Sequence, residues 1–148
     1  MIVDDLKLTG CLTVNLVAED GSIKETQNIP NLVVASGKAF VASRIAGTSS
    51  NVMSHMAIGT TNTAAITSNT TLGGEVARVA LASTTPSGND VVYVGTFPAQ
   101  TPSSDAGVVE AGIFNQASGG TMLCRTVFSI INKSPTDSLS IQWTISAS

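Results

Sequence analysis

Hydrophobic residues fall on alternate positions at both ends of this chain. Near the start, Leu6, Leu8, Leu12, Val14 and Leu16 occupy even positions, with Lys7, Thr9, Thr13 and Asn15 between them. A period of two marks a strand with one buried face. The residues of "AEDGS", Ala18 to Ser22, tolerate left-handed geometry and predict a turn. "IKETQNI" after it predicts a polar return strand and a hairpin. At the other end Leu139, Ile141, Trp143 and Ile145 alternate without a break with Ser138, Ser140, Gln142, Thr144 and Ser146. One face of that strand is core and the other meets solvent or a polar partner.

The period changes in "PNLVVASGKAFVASRIAG". Val34, Val41 and Ile45 share a helical stripe, Leu32, Val33 and Phe40 widen it, and Gly47 is a stop signal. One substantial helix is expected there. "VMSHMAIG", Val52 to Gly59, predicts a central strand, and "TTNTAAITSNTT" predicts a long polar loop. "TTLGGEVARVAL" predicts a helical turn capped by Thr70 or Thr71 and then a strand, with Glu75 and Arg78 pairing across the turn. "PSGND" is a turn, "VVYVGTF" a strand, and "PAQTPSSDAG" an exposed loop. "VVEAGIF" and "TMLCRTVFSII" flank a glycine turn at Gly119 and Gly120. The second of these leads through "NKSPTD" into the last strand, as a hairpin. Seven to nine short strands with one helix predict a mainly β chain, residues 1–148 forming a single β-rich domain. The expected form is an antiparallel β-sandwich or jelly-roll-like barrel.

Composition narrows the function classes. The 148 residues are 43% hydrophobic but only 11% charged, with 18 serines and 18 threonines. A surface so poor in charge repels its own copies weakly, which favours self-association. Seven lysines and arginines are scattered through a chain of net charge −3. No clustered basic footprint for nucleic acid is visible. Asp4 and Asp5 stand where a signal peptide carries basic residues. No apolar run approaches the length of a membrane span. Synthesis in a cytoplasm without a standard export signal is the expectation.

Candidate chemistry is sparse. Cys11 and Cys124 lie far apart, outside any CxxC and away from the single His55, so no metal site and no cofactor are expected. Both cysteines are expected as buried strand thiols. Gly37–Lys38 lacks the Ser or Thr that follows a P-loop lysine, and Leu32 stands where its first glycine belongs. His55 has no nucleophile pattern around it and is expected as a core or interface histidine. Glu75, Asp105 and Glu110 could meet as a catalytic acid cluster, but loop hydrogen bonding and pairing with Arg78 or Arg125 explain them more simply. "NQASGG" has no following helix to bind an anion, and a hairpin with glycines at positive φ suits it better. No catalytic residue is assigned and no enzyme is expected.

Three phrases carry a resemblance: "IPNLVVASGKAFVASRI", "MAIGTTNTAAITSNTTLGGEVAR" and "VVEAGIFNQASGGTMLCRTVF". In that order they resemble segments of virion structural proteins of tailed bacteriophages, both small capsid decoration (cement) proteins and modules of tail fibres or collars. The likeness spans about Ile29 to Ile145. It implies a β-rich, oligomeric, structural role and transfers no functional residues. One compact domain suits a stand-alone cement subunit better than a fibre. Such a subunit would sit on the outer capsid surface as a dimer or trimer. It would bind the major capsid protein through polar loops, the first hairpin and exposed apolar helix residues. A tail component is the alternative. Carbohydrate recognition is disfavoured, because Phe40, Tyr93, Phe97, Phe114, Phe128 and Trp143 fall mostly on apparent core faces.

Overall fold

The computed structural model describes residues 6–48 and 50–148. The signal-sequence reading of Asp4 and Asp5 lies outside them. Nine strands and one helix follow in order: β1 (Leu8–Val17), β2 (Ile23–Val33), α1 (Ala35–Ile45), β3 (His55–Gly59), β4 (Glu75–Ala80), β5 (Ser83–Ser87), β6 (Asp90–Phe97), β7 (Ala106–Phe114), β8 (Met122–Lys133) and β9 (Ser138–Ala147). The mainly β architecture with one helix is the one the alternation predicts. All nine strands join one antiparallel sheet in the order β4-β3-β7-β8-β2-β1-β9-β6-β5. It curls into a half-barrel, so the two layers of a sandwich arise from opposite halves of one sheet.

The core fills the concave side. Leu12, Val14 and Leu16 of β1 stand opposite Trp143, Ile141 and Leu139 of β9. Tyr93 of β6 joins them beside Trp143. From the other half come Met56, Ile58, Ala111, Ile113 and Cys124, all fully buried. The halves are tied by a corner: Leu81 N–H donates to Ser54 O at 2.9 Å and Ala82 N–H to Val94 O at 2.7 Å, carrying β4 straight into β5. Gly95 of β6 leaves room for Met56, whose Sδ would lie 2.7 Å from any Cβ placed there.

Several expectations change. β8 and β9 are joined by the short turn after Lys133 but do not pair, because β2 and β1 lie between them. The turn is therefore an arch between layers, and the hairpin expectation is corrected. A tight turn in sequence looks the same whether the flanking strands bond to each other or pack across a core. β2 meets β8 only at Leu32↔Arg125 and Val33↔Cys124. Leu32 and Val33 are thus strand, and α1 begins later than expected, after an extended Val34. β5 is an edge strand missed in the sequence, its residues all exposed and Pro86 tolerated there for want of an outer partner. No helical turn forms around Thr70 and Thr71.

α1 ends as expected. Gly47 adopts φ +73°, and Thr48 N–H reaches back to Ser43 O at 2.9 Å, closing a Schellman-type cap. Phe40 and Val41 face the barrel end, beside Leu8, Tyr93 and Leu123. Gly37 rests on the backbone of β8, where a Cβ would run into the Leu123 carbonyl. Its glycine is needed for helix–sheet packing. Replacing Gly37 by Ala should therefore lower stability by about 1–3 kcal/mol, as overpacking does. Lys38→Ala, on the exposed side, should stay within about 0.5 kcal/mol. Thermal unfolding of both variants checks this.

Candidate functional site

Residues 56–78 and 108–128 meet on the convex face of the β4-β3-β7-β8 half. Register builds this face in rows. Arg78, Ala57, Gly112 and Arg125 lie side by side across four strands. Glu75, Gly59 and Glu110 form the next row. The central positions are Ala57, Gly59 and Gly112, so the middle of the face is flat. The long loop between β3 and β4 lies down on it. Leu72 of that loop packs with Ala57, Phe114, Met122 and Val34 as a second small core. A Cβ at Gly112 would lie 3.1 Å from Leu72 Cδ2.

At the centre is an ion pair. Glu110 is 0% and Arg125 2% exposed, and Arg125 Nε and a terminal nitrogen donate to one oxygen of Glu110 at 3.1 and 3.0 Å. Glu110 also accepts backbone N–H bonds from Thr61 at 3.0 Å, Gly73 at 2.8 Å and Gly74 at 2.7 Å. A Cβ on Gly59 would stand 2.5 Å from the carboxylate, so glycine is what lets it approach. Arg125 extends the network to Asn69 Oδ1 at 3.2 Å, which also accepts the Ile66 N–H at 2.9 Å. Both ends of the loop are thus tied to one carboxylate and its middle to the guanidinium.

Arg78 organises the neighbouring turn. It takes Glu75 in a two-pronged pair at 3.0 and 2.6 Å. The expected partners do meet, but on a strand instead of a helical turn. A bulge opposite Ile58 and Gly59 inserts one residue between them, so positions three apart share a face. The guanidinium lies 3.8 Å over the Phe114 ring and donates to the carbonyls of Gln116 and Gly119 at 3.0 and 2.9 Å. Asn115 Oδ1 accepts the Thr121 N–H at 2.7 Å. Gly119 and Gly120 adopt φ +64° and +78°, the glycine turn the sequence predicts.

The three carboxylates considered as an acid cluster are thus spent differently: Glu110 on Arg125 and amides, Glu75 on Arg78. Asp105 stands just before β7, in a cleft of about 270 Å³ with Lys24, Lys133 and Asp137. There Asp137 accepts the Ser134 N–H at 3.0 Å and pairs with Lys24 at 3.1 Å. The Ser134 amide first, and Lys24 after it, hold its carboxyl below the ordinary range. Lys133 is buried, donates to Pro98 O at 3.3 Å, and is pushed down by loss of solvent. His55 opens β3 with Nδ1 2.8 Å from Ser54 Oγ. Cys124 is buried, which pushes its thiol well up, as expected for an inert strand residue. Cys11 is exposed on the convex side of β1, a correction, because the alternation of that strand turns Leu12 inward instead. Among the described residues no three His, Cys, Asp or Glu side chains gather as metal ligands. None of the described helices is long and apolar enough to cross a membrane.

No protein family, curated protein or solved structure matches this chain. Sequence reasoning foresaw that Glu110 would pair; it missed the amides of Thr61, Gly73 and Gly74, since backbone donors carry no residue signature. The detectable signal was a lone acid in "VVEAGIF" and a lone base in "MLCRTVF", each inside an apolar run.

Breaking a buried pair by removing one partner costs about 3–5 kcal/mol. Arg125→Ala and Glu110→Ala should both fall in that range by urea unfolding. Glu110→Ala should lose more, because three amides lose their acceptor as well, and hydrogen exchange at Gly73 and Gly74 should speed up most. Asp137 sets an acid limb. A depressed folded pKa contributes stability above the ordinary value of about 3.9 and loses it as pH falls through the lower folded value. Thermal unfolding of Asp137→Asn should therefore show a shallower decline than wild type below about pH 4.

Proposed function

We propose that this chain is a structural virion protein of a tailed bacteriophage, a capsid decoration or cement subunit. It binds the outside of the shell and staples adjacent major capsid proteins, after synthesis in the host cytoplasm. The observation that carries this is where the phage-like phrases go. Two of the three, residues 56–78 and 108–128, converge on the Glu110–Arg125 network and its loops, and the ionic groups there are engaged with one another and with backbone. Residues spent in this way build a rigid loop platform and leave no acid–base pair directed at a substrate. The proposed role is accordingly non-enzymatic.

The platform supplies the contact elements. The loop between β3 and β4 presents threonines, asparagines, alanines and the exposed Ile66, tied down at its base. Chemistry of this kind docks on a protein surface through shape and neutral hydrogen bonds. It does not depend on phosphate neutralisation, so the proposed partners are the major capsid protein and other copies of this chain, not nucleic acid or a membrane. A homo-oligomer, dimer or trimer, touching several capsomers gains avidity through effective concentration even where each contact is modest.

Purified chain should bind expanded capsids lacking it and raise their resistance to heat. Ile66→Asp should weaken binding at least about tenfold, or 1.4 kcal/mol, while the subunit's own melting temperature holds. Gold label on the tail instead of the shell lattice would assign the chain to a collar, baseplate or fibre-attachment module. Binding to neither would overturn the reading.

A further inference from the structure

The convex face of the β4-β3-β7-β8 half is covered by its own loop, while that of the β2-β1-β9-β6-β5 half stays open. Alternation turns Leu12, Val14, Ile141 and Trp143 inward, and the residues between them build the outer face in rows. Pro30, Cys11, Thr144 and Val92 lie side by side across four strands, and Thr85 of β5 continues the row. Asn28, Thr13, Gln142 and Val94 form the next row, and Thr26, Asn15, Ser140 and Thr96 the third. None of these side chains carries a carboxylate, an ammonium or a guanidinium. The flanking charges are Lys24 beyond one end and Asp90, opposite Ser146, beyond the other. Cys11, Asn28, Pro30, Gln142 and Thr96 are exposed, as is the whole of β5.

We propose that this face packs against the same face of a second copy, sheet on sheet about a two-fold axis. The inference rests on the homo-oligomer part of the function proposed above and supplies its contact surface. Hydroxyl and amide side chains both donate and accept hydrogen bonds, so a face built from them complements itself. A face rich in lysines or in carboxylates would set like charges against like. Within the face, Thr13 Oγ donates to Asn28 Oδ1 at 2.8 Å and Thr26 Oγ to Asn15 Oδ1 at 2.7 Å. These bonds order the side chains and leave both amide nitrogens to donate across the contact. Cys11, Pro30, Val92 and Val94 add apolar surface, and depletion of charge is what marks the centre of an interface.

Other occupants fit this face less well. Nucleic acid is held by cations, and the three rows contain none. A sugar stacks on aromatic rings, but Trp143 and Tyr93 of these strands are turned into the core. Five strands lie side by side, with β1 and β9 ten residues long. Spacings of about 4.8 Å between strands and about 3.3 Å per residue bound the face at about 800 Å² per copy. Each partner buries about that area in a standard-sized interface. The curl of the sheet concentrates contact near the centre of the face, so the pairing is modest in strength.

Sedimentation equilibrium of the full chain tests this, with Gln142→Glu and Asn28→Asp as near-isosteric variants that put a carboxylate on the face. Wild type should dimerise with a Kd below about 100 µM. Each variant should dimerise at least about tenfold more weakly, with its melting temperature unchanged. Ile66→Asp, in the loop platform, should dimerise as wild type does. Cys11 reports the same event, since its alkylation by iodoacetamide should slow at least about threefold as monomer becomes dimer. Cys124 is buried and does not interfere. A wild type still monomeric at about 100 µM overturns the proposal. So does self-association that responds to Ile66→Asp and not to the carboxylate variants, which puts the contact on the loops. Carboxylate variants that bind capsids more weakly yet dimerise fully would give the face to the capsid protein, and this too overturns the pairing. A chain that dimerises as described but ignores capsids refutes the cement role and leaves the pairing standing.

Discussion

A carboxylate buried inside an apolar strand is the constraint on which half of this fold depends. Glu110 sits in a strand covered on both faces, where an uncompensated charge would be prohibitive. Arg125 answers it from β8, but a buried ion pair alone is weak grounds for stability, because its desolvation offsets most of its attraction. What makes the arrangement favourable is the filling of the remaining lone pairs by Thr61, Gly73 and Gly74 amides. Hydrogen bonds from backbone N–H to an ionised acceptor are among the stronger kinds available. The loop between β3 and β4 has little apolar content with which to fold itself. It is shaped by polar bonds to the Glu110 carboxylate and the Arg125 guanidinium.

That dependence spreads outward. With the loop laid on the flat row of Ala57, Gly59 and Gly112, Leu72 can close the second core against Phe114 and Met122. Thr67 of the same loop accepts the Ala35 N–H at 2.8 Å, satisfying an amide at the start of α1. Val34 offers no side-chain cap there. Ser36 Oγ donates to Met122 O at 2.9 Å and fixes the helix to β8 from the other side. The helix is thus positioned by the loop, the loop by Glu110, and Glu110 by the absence of a side chain at Gly59.

How much of this was legible follows from the kind of signal each part leaves. β1 and β9 show clean alternation because one face of each is core and the other is not, so period two survives in the residues. β3 and β7 are covered on both faces and lose it, yet their short apolar runs still mark them as central. α1 begins later than the apolar run suggests because Leu32, Val33 and Val34 are covered for strand and linker reasons, and an apolar run does not reveal where a strand hands over to a helix. The β8–β9 arch has the local sequence of a hairpin because pairing partners are set by the whole sheet order, which a local turn does not encode. At the site, Glu110, Arg125, Glu75 and Arg78 were visible as charges in need of partners. Their geometry was not, since it is set by a bulge at Val76 and by amides of glycines that look like loop filler.

The same economy of charge gives the molecule two unlike ends. Arg78 and Arg125 are drawn into the loop platform, each matched by an acid, so that surface is left to threonine, serine and asparagine. Such a surface is neutral, well solvated and held in shape from beneath. Around α1 the surface is different: Lys38 stands beside Leu6, Leu8, Val41 and Ile45, of which Leu6 and Ile45 are exposed. A neutral, rigid platform discriminates by shape and tolerates changes in salt. A cationic apolar groove discriminates by charge as well as by fit, and loses part of its attraction as salt rises. If both ends make contacts, ionic strength separates them. A partner held by the loops stays bound in high salt, while one held at α1 weakens, so the two surfaces can be distinguished in solution without altering a residue.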